Sequence, residues 1–175
     1  MRQEKLDATF NLLVKDHGDR IYNLALMKSN QASLAEDITQ ETFIRVYRGL
    51  KNFRNESQIG TWIYKIALNV CNTMLTKESR ISKPLIAYDE GGEHELSTES
   101  VDAENGFWAE SRTDYLRKAI ASLSPNQADV ITLYYLREFK YEEVAQIMDI
   151  PINTVKSHLY RAKERLREII QEVEI

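Results

Sequence analysis

A chain of 175 residues with 43% hydrophobic residues and a formal net charge of −4 is globular, long for one small domain and short for two large ones. No internal repeat is visible, and no apolar run approaches the roughly 18 residues of a membrane span, so membrane insertion is not expected. The N-terminal MRQEKLDATF lacks an apolar signal core, and the single cysteine, Cys71, excludes an internal disulfide and argues against a zinc site, so a cytoplasmic location is expected.

The charge is unevenly spread. Residues 1–83 carry 13 Lys/Arg against 9 Asp/Glu, residues 84–111 carry 8 acidic and no basic residues, and residues 112–175 carry 10 of each. The acidity therefore belongs to one middle segment, and local fields steer binding more than the total does.

In chain order, the first helical pattern runs from about Asp7 to Met27, with Phe10, Leu13, Val14, His17, Ile21, Leu24 and Ala25 on one stripe. Gly18 allows a break there. His17 lies on the apolar stripe without a second His or Cys at metal-ligand spacing, so it reads as a packed or boundary residue. Ser33-Leu34-Ala35-Glu36 has the form of a capping box. The helix it opens is expected to end at Gly49, a natural left-handed terminator. Ala35, Thr42, Phe43, Val46 and Leu50 share one face of it; Asp37, Gln40, Glu41, Ile44 and Arg48 share the opposite one. That second face is either a charged solvent face or a partner surface.

Lys51 to Gly60 is a polar loop, and Ser57 is placed to cap a helix from about Gln58 to Lys77. Trp62, Ile63, Ile66, Ala67 and Val70 form its apolar face, and Trp62 and Tyr64 read first as core packing. Asn69, Asn72, Thr73 and Thr76 are polar, with Lys77, Arg80 and Lys83 following. Amides followed by cations also suit unpaired bases and backbone phosphate. Pro84 closes this first domain. The acidic, Gly- and Ser-containing stretch to Asn105 reads as a flexible linker.

A second helical domain begins near Gly106. Phe107, Tyr115, Leu116, Ala119, Ile120 and Leu123 pattern its first helix. Ser124-Pro125-Asn126-Gln127 is a strong start signal, with an N-cap serine, proline at the first helical position and a glutamine completing the box. That helix is expected to reach about Arg137. Tyr141 to Met148 then forms a short helix, broken at Asp149-Ile150-Pro151, because proline restricts the residue before it and tolerates only the first turn of a new helix. On the next helix, 152–170, Val155, Leu159, Ala162 and Leu166 make the apolar stripe, while Asn153, Ser157, Tyr160, Arg161 and Glu164 point the other way. Lys156, Lys163 and Arg167 occupy one shoulder. From Asn153 to Arg167 five cations face one glutamate, a net of +4. A short helix, a tight turn and a basic second helix form a helix-turn-helix suited to the major groove. A solvated amphipathic helix in a bundle shares this pattern.

No period-two strand pattern occurs, so the fold class is all-α: two small helical domains, 1–83 and 106–175, joined by an acidic linker, 84–105. No Gly-rich phosphate loop, Cys/His cluster or nucleophile elbow is present, so no enzyme activity, cofactor or metal is expected.

Three blocks in order are specific. They are Ala35-Glu36-Asp37-Ile38-Thr39-Gln40-Glu41-Thr42-Phe43, Thr61-Trp62-Ile63-Tyr64-Lys65-Ile66-Ala67-Leu68-Asn69, and Thr154-Val155-Lys156-Ser157-His158-Leu159-Tyr160-Arg161-Ala162. With Leu123-Ser124-Pro125 and Tyr141-Glu142-Glu143-Val144-Ala145, they make nearly the whole chain resemble the extracytoplasmic-function (group four) sigma factors of bacterial RNA polymerase. The resemblance implies a subunit that binds core RNA polymerase and directs promoter-specific initiation. It implies polymerase-clamp docking by Asp37, Gln40, Glu41 and the neighbouring Ile44. It implies minus-ten recognition and opening by the 52–80 loop and helix, with Trp62, Asn69, Asn72, Lys77 and Arg80. It implies minus-thirty-five reading by Asn153, Lys156, Ser157, Tyr160 and Arg161, with Lys163 and Arg165 meeting phosphate. Core polymerase, promoter DNA and an anti-sigma factor are the implied partners, and the acidic linker is implied to thread the polymerase cleft.

The chain departs from the family's pattern at three places. Thr73, Thr76 and Lys77 stand where many relatives carry an aspartate followed by arginines. Lys140 stands where Ser or Thr often caps the first helix of the helix-turn-helix, and Asn153 replaces a frequent glycine. Two other readings fit parts of the sequence: a stand-alone helix-turn-helix regulator, and a sigma-like decoy that binds an anti-sigma protein.

Overall fold

The computed structural model describes residues 3–54, 56–81 and 115–173, and every regular element among them is helical. The N-terminal half holds α1 (Gln3–Ser29), α2 (Ala32–Leu50) and α3 (Ile59–Ile81). The C-terminal half holds α4 (115–121), α5 (Pro125–Ile131) running into a π-helical turn (Thr132–Leu136), α6 (Tyr141–Met148) and α7 (Ile152–Val173). The expected linker lies outside the described residues, as do Pro84 and Phe107.

Most of the apolar stripes pack as their periodicity predicts, though Val14 and Leu116, placed on them, are exposed. Leu13, Ile21, Leu24 and Ala25 of α1 are buried, as are Ala35, Thr42, Phe43, Val46 and Leu50 of α2 and Ile63, Ala67 and Val70 of α3. Phe10 meets Phe43 and Tyr47 edge-on, with centroids at 6.3 and 5.0 Å. In the C-terminal half Val155, Leu159 and Ala162 are buried. The Tyr115 hydroxyl donates to the Ile169 carbonyl at 3.2 Å, tying α4 to the end of α7.

Four local expectations are corrected. Gly18 does not interrupt α1, which is continuous from Gln3 to Ser29; its backbone bonds continue through the glycine, whose helical cost is only about 1 kcal/mol. The Ser33 box does not form: Gln31 is the N-cap, so Ser33 lies inside the helix. Asn30, at φ 53, turns the chain between α1 and α2, and that left-handed residue fixes the start of α2 two residues early. Gly49 is not a left-handed terminator, since α2 runs on through Leu50. A Cβ there would lie 2.8 Å from Cζ2 of Trp62, so the glycine serves close approach to the indole. Lastly, α3 begins at Ile59 rather than after a Ser57 cap.

The capping box at Ser124 does form, with Gln127 Oε1 accepting from the Ser124 amide at 3.3 Å. Lys140 cannot accept at the start of α6, yet half the box survives: Glu143 Oε2 accepts from the Lys140 amide at 2.8 Å. Asp149, at φ 58, ends α6 in the left-handed region, and the Ile150 amide reaches back to the Ala145 carbonyl at 3.1 Å.

The two halves are docked. Tyr64 of α3 meets Phe139 edge-on at 4.8 Å, Thr61 donates to Glu143 at 3.4 Å, and Lys65 reaches Asp149 at 3.3 Å. At the other end, Lys28 of α1 pairs with Asp129 of α5, their side chains 13% and 6% exposed. Burial raises the Asp129 pKa against the pull of Lys28. Removing either partner of such a buried pair leaves the other charge without compensation, which is costly.

Candidate nucleic-acid and polymerase interface

The structure distributes the predicted site residues over three separate surfaces. On α2, Asp37, Gln40 and Ile44 are exposed and Glu41 is half-buried. The opposite face of the helix is buried against α1 and α3, so its outward face is available. Glu41 Oε1 accepts from Arg45 Nε at 2.7 Å, an i,i+4 pair of small energetic weight that leaves its second oxygen to other donors. Ile44, 44% exposed, is the apolar centre of this acidic stripe.

The second surface lies along α3 and the loop before it. Phe53 packs on Trp62 with centroids 5.0 Å apart and planes tilted by 39°, and the Asn52 and Phe53 amides bond back to Gly49 and Leu50 at 3.0 and 3.4 Å. Trp62 is half-buried and anchors the loop. Asn69, Asn72 and Lys77 are exposed on the same helix, and Arg80 lies on it with its side chain outside the described set. The hydroxyls of Thr73 and Thr76 donate to the carbonyls of Asn69 and Asn72, both at 2.7 Å. Those hydroxyls are turned onto the backbone, so the outward polar groups are the two amides.

The third surface is α7. Asn153, Lys156, Ser157, Tyr160, Arg161, Lys163 and Arg165 are all exposed, Tyr160 to 68%. Packing of Val155, Leu159 and Ala162 into the core fixes which way this face looks. Ser157 donates to the Asn153 carbonyl at 2.9 Å, leaving its oxygen lone pairs outward. Arg165 is paired with Glu168 at 2.9 Å and Arg167 with Glu164 at 2.5 Å. Both pairs are solvent-exposed, and a phosphate competes with such a carboxylate easily.

Sequence reasoning missed one feature next to α7. The π turn places Tyr134 against Tyr141, centroids 4.8 Å apart and planes within 4°, with Tyr135 edge-on to Tyr134 at 4.9 Å. Lys156 Nζ lies 6.0 Å from the Tyr141 centroid. A π turn shifts the side-chain register by one residue, which a 3.6-residue period cannot anticipate; the only signal was the density of tyrosines at 134, 135 and 141.

His17 is half-buried, its Nδ1 without a hydrogen-bond partner among the described residues, and burial lowers its pKa, with Asp16 acting upward and Arg20 downward. It packs near Gly60 at the α1–α3 contact. Cys71 is buried, and its thiol is pushed up to about 11, chiefly by burial. Among the described residues no group of His, Cys, Asp and Glu is arranged to hold a metal, and no helix is long and apolar enough to cross a membrane.

Residues 13–81 match the family model for sigma-70 region 2, and residues 113–166 match the model for sigma-70 region 4. The ECF RNA polymerase sigma-E factor of Haemophilus influenzae is 32% identical over 167 residues, covering 93% of this chain and 87% of that protein. The RNA polymerase sigma-H factor of Pseudomonas aeruginosa is 32% identical over 170 residues, covering 93% and 86%. Among solved structures, the sigma factor RpoE from Bartonella quintana, in complex with the anti-sigma factor NepR, superposes with a TM-score of 0.70 at 24% identity over 93% of this chain and 97% of that one. CnrH in complex with the cytosolic domain of CnrY gives 0.69 at 16% identity over 95% and 90%. At those identities the two structures speak for the fold.

Proposed function

The chain belongs to the extracytoplasmic-function sigma factors of the sigma-70 family and directs promoter-specific transcription initiation by RNA polymerase, and we propose how its three surfaces divide that work. The exposed face of α7 reads the minus-thirty-five element. Ser157, Tyr160 and Arg161 face the groove floor, with Asn153 at the helix start, and Lys163 and Arg165 meet phosphate. The loop before α3, with Trp62, Asn69, Asn72, Lys77 and Arg80, holds the opened minus-ten strand. Extruding a base costs a few kcal/mol of stacking, which contacts to the base must offset. Asp37, Gln40, Glu41 and Ile44 of α2 dock on the polymerase clamp. The observation that carries this reading is α7: its apolar stripe is buried and a face of net charge +4 is left outward.

The docked halves impose a condition. Minus-ten and minus-thirty-five elements lie about 25 base pairs apart, roughly 85 Å at the 3.4 Å rise of a DNA strand. With α6 packed against α3, α7 cannot reach one element while α3 holds the other, so reading both requires the halves to part. An anti-sigma protein that favours the docked arrangement would silence the factor. Such a partner fits the sigma factor RpoE of Bartonella quintana, which was solved in complex with the anti-sigma factor NepR. The protein acts in the cytoplasm, where its polymerase is, and contributes no catalysis of its own.

The test is run-off transcription with core RNA polymerase and fragmented DNA from the source organism. Discrete transcripts that depend on the protein are expected, and their start sites give the two promoter elements. Binding to polymerase without any transcript would turn the reading toward a decoy. DNA binding without polymerase would turn it toward a stand-alone regulator.

A further inference from the structure

Lys156 and Lys163 follow each other along one edge of α7, two turns apart. Beside that edge lies an aromatic layer from two other segments: Tyr134 and Tyr135 of the π turn, and Tyr141 at the start of α6. Both rings of the stacked pair are half-buried, Tyr134 next in sequence to buried Leu133 and Tyr141 one helical turn before buried Val144. The Lys156 stem is flexible and its ammonium is exposed. At 6.0 Å from the Tyr141 centroid, the ammonium lies within reach of the ring quadrupole. Tyr141 beside it raises the Tyr134 phenol above its ordinary pKa, and Lys163 pulls in the opposite direction.

This placement has a direction. It draws the Lys156 ammonium toward α6, the helix that in a helix-turn-helix crosses the DNA backbone, and away from the groove floor where Ser157, Tyr160 and Arg161 point. A lysine there is a compact point charge, suited to a phosphate and without the planar fork that reads a guanine. Narrowing its rotamers before DNA arrives lowers the ordering cost of the contact.

We propose that the Tyr134–Tyr141 stack is a positioning platform that holds Lys156 at the groove edge as an anchor for a backbone phosphate, leaving base discrimination to the other side chains of α7. This rests on α7 being the minus-thirty-five reader, and it makes Lys156 a determinant of affinity and salt dependence rather than of sequence.

The experiment uses holoenzyme assembled on core polymerase and a promoter fragment recovered from the run-off assay, with a panel of single-base changes in its minus-thirty-five element. Lys156→Met is expected to weaken binding by one common factor across the panel and to lower the slope of log affinity against log salt by about 0.9. A changed ranking of the base variants would make Lys156 a base reader and overturn the proposal. The platform is tested by replacing Tyr141 with phenylalanine and then with progressively fluorinated phenylalanines, which keep the ring's shape while draining its negative face. Affinity is expected to fall stepwise along the fluorinated series, by about 2- to 5-fold in all, with an unchanged melting temperature. In the Lys156→Met background the series is expected to be flat. A flat series in the parent chain, or an equally steep one without Lys156, overturns the platform. Arg161→Ala separates the two levels. If Arg161→Ala and Lys156→Met both bind as the parent does, α7 is not the reader and the proposal falls with that reading. If Arg161→Ala weakens binding while the fluorinated series stays flat, the platform alone falls.

Discussion

The two reading helices, α3 and α7, solve the same packing problem and present opposite surfaces. Each buries an apolar stripe against its own half and leaves a polar face outward. On α7 that face has five cations against one glutamate between Asn153 and Arg167. On α3 the exposed groups over Asn69 to Thr76 are amides and back-bonded hydroxyls, and the first cation after them is Lys77. A duplex presents two rows of phosphates, and the charge of α7 matches it. A strand with its bases turned out presents base edges and π faces, and amides beside Trp62 match that better. On the function proposed above, α7 would supply affinity for the closed promoter and α3 stability to the opened one.

The largest effect should come from breaking what holds together the two halves that carry these helices. Asp129→Ala leaves the Lys28 ammonium buried opposite a methyl group and should destabilise the docked chain by about 3–5 kcal/mol, read by chemical denaturation. The pair Lys28→Met with Asp129→Leu should recover most of that loss, since apolar side chains of similar size bury no charge. If the double variant is as unstable as the single one, the ion pair stabilises the docking outright.

The next effect sharpens the contrast from the α7 side. Arg161→Ala should weaken holoenzyme binding to the intact promoter by about 1–3 kcal/mol and relax the preference at one minus-thirty-five base, measured by competition among promoter variants. Asn69→Ala and Asn72→Ala should do the reverse. Closed-complex binding should hold while open-complex formation falls by about 1 kcal/mol each, or roughly fivefold. Permanganate footprinting reads this, and a promoter mismatched across minus ten should rescue both. Loss of closed binding in these variants would remove the proposed division between the helices.

The smallest effect concerns the back of α3. The Cys71 thiol, raised from 9.0 to about 11, should resist alkylation at pH 8 in the native chain and react at once after unfolding. The sign with pH follows: burying the neutral thiol contributes stability that is fully present below about pH 9 and is lost as pH rises through about 11. Cys71→Ala should flatten that part of an alkaline unfolding curve.

Much of the molecule was legible because its signals are local. Tyr141–Met148, the break at Asp149 and the stripe Val155, Leu159, Ala162 appear in the structure where periodicity placed them. Ser124 with Gln127 capped the helix that it marked. Local signals also misled. Ser33 has the pattern of a cap, but Asn30 turns the chain before it and Gln31, two residues earlier, takes the position. Gly49 looked like a terminator, and only the approach of Trp62 explains it.

The chain's all-α class, its helix-turn-helix and the basic face of α7 follow from residue spacing and composition, because helical periodicity and caps act over a few residues. The seam between the halves does not. Tyr64 and Phe139, Lys28 and Asp129 are 75 and 101 positions apart in sequence, and nothing in either neighbourhood names its partner. The aromatic platform under Lys156 needed the π turn to bring Tyr134 onto Tyr141. Contacts of that kind are settled when whole helices pack, since only then does burial decide which faces meet.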